Sequence, residues 1–217
     1  MNTTDLIQHL GDDLTPVRPL AAPWKRAAAW LGCACLYLAA VVLVAWIRDI
    51  PLRANRDGLL VVQLASFATA MIAALAAFIS IVPGADRRAL AMPAVPAALV
   101  VTSLVWGCAT DMRLRGTLGI GLETDWPCVA SLALGGGALW ATAMAMLRRG
   151  APLAPRTSAL LAGVAALSVA NVETCLTRPH TFSVTVLLWH GLTIVLLVLV
   201  MTRAGTRLLA WKRPQTG

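Results

Sequence analysis

The sequence predicts an all-α membrane protein: a bundle of six transmembrane helices with a short cytoplasmic amphipathic helix at the N-terminus and both termini inside. Three observations predict it: a shortage of charge, six long apolar runs, and an uneven split of Lys and Arg between the connections. The chain has 217 residues, of which 59% are hydrophobic and only 13% charged, and its mean hydropathy is +0.75. A soluble domain carries about 25% charged residues, so most of this surface is expected to meet lipid. The net charge of +8 would suggest nucleic acid in a soluble protein. Here the basic residues sit in short segments between apolar runs, which points to anionic headgroups and topology. No zinc-finger, Walker-type or glycine-rich dinucleotide signature accompanies them, so no direct nucleic-acid partner is expected.

The elements follow in order. Residues 1–26 are the one soluble piece of useful size. They begin polar and acidic, with Asp5, Asp12 and Asp13, and no small-residue cleavage pattern follows a short apolar stretch. They do not read as a signal peptide, and the first apolar run is expected to stay as an anchor. Thr3 or Thr4 can cap a helix with Asp5 in its first turn. Leu6, Ile7, Leu10 and Leu14 then fall on one face, with Gln8, Asp12 and Asp13 opposite. Pro16 stops this helix, and VRPLAAP runs extended to the membrane. So short a helix is not stable alone, and it would fold against a partner surface. Its acidic side favours a protein groove over anionic lipid.

A membrane-crossing helix needs about 20 mostly apolar residues, and backbone groups in lipid must pair internally. Six stretches satisfy this, at roughly 27–47, 59–82, 90–110, 126–147, 158–176 and 182–204. Pro93 and Pro96 are expected to bend the third near its inner end. In the fourth, Gly135, Gly136 and Gly137 suit close helix packing; no strand precedes them and no Lys-Ser/Thr follows, so a phosphate loop does not fit. The fifth is the shortest and most polar, with Ser158, Ser168, Asn171 and Glu173. The domain plan is a cytoplasmic segment 1–26, a transmembrane domain 27–204 and a basic cytoplasmic tail 205–217.

Orientation follows from the basic residues. Arg18, Lys25, Arg26, Arg87, Arg88, Arg148, Arg149, Arg156, Arg203, Arg207, Lys212 and Arg213 fall on one side; Arg48, Arg53, Arg56, Arg113, Arg115 and Arg178 fall on the other. The twofold excess puts both termini in the cytoplasm. Cys128, opening span four, and Cys175, closing span five, then share the outer boundary. Trp126 suits that interface and Pro127 a first helical turn. Both thiols are expected to reach water or an oxidising compartment, where a disulfide can persist.

Five cysteines with no C-x-x-C are not a disulfide scaffold. Cys128 and Cys175 form the best candidate pair, either as a bridge or as small packing residues. A metal reading adds Glu173 and His180 to the two thiols, with Cys108, Asp111 and Asp125 as further candidates; mixed S, N and O donors suit a soft divalent ion. Cys33 and Cys35 point to different sides of a helix and read as ordinary packing. His190, inside span six, is either functional or a neutral imidazole bonded to a neighbouring helix. No resident cofactor is expected beyond a transient metal ion at the cysteine pair. No Ser–His–Asp set or carboxylate pair assembles, so an enzyme is not expected.

The run DLI, then L-T-P-V-R-P-L, six spans, W-P-C opening span four and a second cysteine closing span five together resemble the NrsF-type family. Those proteins are bacterial inner-membrane anti-sigma factors, negative regulators of an extracytoplasmic-function sigma factor. The matching residues are Asp5, Leu6, Ile7, Leu10, Leu14, Pro16, Val17, Arg18, Pro19 and Leu20, with Trp126, Cys128 and Cys175. The resemblance implies that the leader, through Asp5, Leu6, Ile7, Leu10, Asp13, Leu14, Pro16, Val17 and Arg18, holds a sigma factor at the membrane. It implies that Cys128 and Cys175 sense metal or oxidant stress and trigger release. His190 departs from the pattern, which has an aromatic there. Two other classes compete. A small metal or solute transporter would use Cys33 and Cys35 as an inner relay to Cys128, Cys175 and His190. A membrane thiol oxidoreductase would use the cysteines directly.

Overall fold

The computed structural model describes residue 3 and residues 20–52, 59–115, 126–177 and 184–210. Among these the chain is helical throughout, with no strand: α1 Pro23–Ile47, α2 Leu59–Ile79, a short α3 Arg87–Ala91, α4 Ala94–Arg115, α5 Trp126–Arg148, α6 Pro155–Thr177 and α7 Val184–Leu209. Six helical stretches are long and apolar enough to cross a membrane, with α3 and α4 forming one of them.

Several helix ends differ from the expected ones. The first helix begins at Pro23 rather than 27, because proline has no N–H to lose in a first turn. Asp86 caps α3 by accepting from the Arg88 backbone N–H at 2.9 Å. The chain then turns at Met92–Pro93 before α4, the break that proline enforces. The last helix runs on to Leu209, carrying Arg203 and Arg207 within it.

The fifth span is the centre of the bundle. Its helix α6 packs most extensively on α2, α5 and α7, and it is the most enclosed of the six. Small residues permit this. Ala70, Ala73, Ala74 and Ala77 on α2 face Ala159, Ala162, Ala165 and Ala166 on α6 within one buried cluster. Alanines at such spacing let backbones approach closely, which in lipid is the main source of helix association. The polarity of this span thus has a physical reason: its Ser, Asn and Glu side chains point at other helices. Outward faces are apolar, with Leu36, Trp46, Val95, Trp106, Leu134, Leu188 and Val200 exposed.

Candidate functional site

Two polar networks lie at the end of the bundle where α1 and α6 finish and α5 begins. They diverge because Asn171 and Glu173, two residues apart, point to different sides of α6. In the first, Cys128 Sγ on α5 lies 3.1 Å from His190 Nδ1 on α7. His190 Nε2 lies 2.7 Å from Asn171 Oδ1, and Asn171 Nδ2 donates to Ser66 Oγ on α2 at 2.8 Å. All four residues are buried. An amide oxygen only accepts, so Nε2 carries the imidazole hydrogen and Nδ1 turns its lone pair to the thiol. In the second network, Glu173 accepts from Tyr37 on α1 and from Ser131 on α5, each at 3.2 Å. The cleft outside Glu173 is lined by Tyr37, Ala40, Val44, Ser131 and Thr177.

Cys175 sits beside these networks, packed with Val62 on α2 and with Val100 and Leu104 on α4. It lies one turn along α6 from Asn171, on the same face of the helix. The expectation that the two cysteines lie at one end of the bundle is met, since one opens α5 and the other closes α6. The expectation that they reach water is not. Cys128 is 6% exposed and Cys175 2%, because both face the interior around α6. All five cysteines are thiols.

The expected metal set falls only partly among the described residues. Among the described residues no three His, Cys, Asp or Glu side chains come together to hold an ion. Glu173 is committed to Tyr37 and Ser131, and His180 lies outside the described residues. So do Asp5, Leu6, Ile7, Leu10, Asp13, Leu14, Pro16, Val17 and Arg18. Cys33 and Cys35 are exposed on the outer surface of α1 rather than packed, so they do not line a path toward Cys128 and His190. His190 is the bonded imidazole foreseen as one alternative, but its partners were not foreseen. Only its charge-capable side chain inside an apolar span marked it in the sequence.

At the opposite end, α1 is tied to α5. Arg26 Nη2 donates to the Met146 carbonyl at 2.6 Å, with its guanidinium 4.9 Å from the Phe78 ring centroid. Trp30 Nε1 donates to the Leu139 carbonyl at 3.1 Å.

These features define a bundle with six helical stretches long and apolar enough to cross a membrane, a buried thiol site at one end and a tethered first helix at the other. The family profile described as NrsF, negative regulator of sigma F, matches residues 10–211. The chain belongs to that family. No curated protein matches it, and no solved structure does.

Proposed function

We propose that the protein is an inner-membrane anti-sigma factor. It holds an extracytoplasmic-function sigma factor through residues 1–26 and releases it when Cys128 and Cys175 react under metal or oxidative stress. The observation that carries this reading is the placement of two buried thiols at one end of a bundle whose other end grips the first helix. That first helix follows directly on the leader. Helix α5 carries Cys128 and, about 27 Å along its axis, the Met146 carbonyl held by Arg26. A shift of α5 at the thiol end is therefore delivered to the root of the leader. Coupling of this kind amounts to about 1–3 kcal/mol, and a bridge between helices provides energy on that scale.

The experiment is capture. Full-length protein in membranes is compared with a form lacking residues 1–19, each incubated with host cytoplasm. The full chain retains a sigma factor and the shortened one does not. Equal retention, or none by either, removes the reading.

A further inference from the structure

We propose that the two thiols have unequal roles, set by His190: Cys128 is the attacking thiol and Cys175 the resolving one, in the reaction of a neutral hydroperoxide. This rests on the reading of the cysteine pair as the sensor, and assigns the chemistry of that site. The chain Cys128 Sγ–His190 Nδ1–Asn171 Oδ1, with distances of 3.1 and 2.7 Å, is a thiol, a base and an orienting amide in line. This is the connectivity of thiol nucleophiles activated by a neighbouring imidazole. Asn171 is itself fixed by Ser66, so the ring is held in one tautomer. Asn171 and Ser66 are positioning residues and His190 is the base. Cys175 has Val62, Val100 and Leu104 around it, surroundings that do not support an anion.

The burial selects the oxidant class. A charged oxidant would have to shed its water to enter a site this enclosed, which costs several kcal/mol, while a small neutral hydroperoxide gives up far less on desolvation. The step balances as follows. His190 Nδ1 takes the Cys128 proton. The sulfur attacks the terminal oxygen of ROOH, the O–O bond breaks, and the leaving alkoxide takes the proton from His190 to give ROH. Cys128 is now a sulfenic acid. The Cys175 sulfur then attacks the Cys128 sulfur, hydroxide leaves with the Cys175 proton as water, and a Cys128–Cys175 disulfide remains. Two thiols give up two electrons, and the hydroperoxide is reduced to alcohol and water.

The test uses full-length protein in membrane vesicles, tert-butyl hydroperoxide as oxidant, and a sulfenic-acid-trapping dione read by peptide mass spectrometry. In Cys175→Ser the trapped adduct accumulates on Cys128; in Cys128→Ser none forms on Cys175. In His190→Phe the Cys128 adduct forms more slowly by ~100-fold or more, the scale of general-base assistance, with exposed Cys33 as the internal standard. His190→Gln, which keeps a polar contact to Asn171, slows the reaction likewise if the Phe variant does not insert. A histidine that only packs would, on replacement, loosen the site and speed the reaction. An unchanged or faster rate overturns the proposal, as does first trapping on Cys175. Sigma capture by the wild type is scored in parallel: its failure with the Cys128 adduct intact removes the anti-sigma reading alone, and sigma capture with no adduct removes the chemistry alone.

Discussion

Three consecutive glycines in α5 do three different things. A Cβ on Gly135 would overlap the Tyr37 hydroxyl and lie 2.9 Å from Tyr37 Cζ. A Cβ on Gly136 would lie 2.6 Å from Leu167 Cδ2, and one on Gly137 would meet nothing within 4 Å. Gly135→Ala should push Tyr37 off Glu173 and leave that carboxyl with Ser131 alone. Losing a buried hydrogen bond while its partner stays in place costs about 1–3 kcal/mol, read as a lower thermal midpoint in detergent. Gly137→Ala should be neutral or raise the midpoint, since alanine is favoured over glycine in a helix by up to about 1 kcal/mol. Equal losses in both variants would mean that the Tyr37–Glu173 contact does not hold α1 to α6. The sequence identified this triplet as a packing feature. It did not distinguish the members, because that depends on Tyr37, 136 positions from Glu173 in the chain.

At the scale of elements, the number and rough extent of the helices were legible because lipid leaves the backbone no other option. The centrality of the fifth was not. Its polar residues made it the most polar span in the sequence, yet they mark the most enclosed helix: Ser158 meets Ser80 at 2.6 Å, Asn171 meets Ser66 and His190, and Glu173 meets Tyr37 and Ser131. Polarity inside a span records interhelical pairing, and pairing between distant segments is invisible in local periodicity. The union of α1 with α5 belongs to the same class. Trp30→Phe removes one donor to an α5 carbonyl and Arg26→Met the other, at about 1 kcal/mol each. Made together, they should leave sigma capture by the leader intact while blunting release by oxidant, because the two helices then move independently. A sigma-dependent reporter measures this. Full release in the double variant would show that the signal does not travel through α5.

At the scale of the whole molecule, the outer surface records its solvent. Exposed Trp24 and Trp46 stand near the two ends of α1, about 33 Å apart at 1.5 Å per residue, close to the roughly 30 Å hydrocarbon thickness. Interfacial tryptophans at that separation would suit a helix that crosses the bilayer. The end carrying Arg26, Arg87, Arg88, Arg148, Arg149 and Arg156 should face the cytoplasm, and the thiol end the outside. Two exposed leucines report on this: Leu52 follows α1 at the thiol end, and Leu153 joins α5 to α6 at the basic end. In a background without cysteines, Leu52→Cys should be labelled by a membrane-impermeant maleimide in intact spheroplasts, and Leu153→Cys only in inverted vesicles. Neither residue is in the core, so both variants should insert as the parent does. The opposite pattern would place residues 1–26 outside the cell, where no sigma factor can meet them, and the thiols in the reducing cytosol, where a disulfide does not persist.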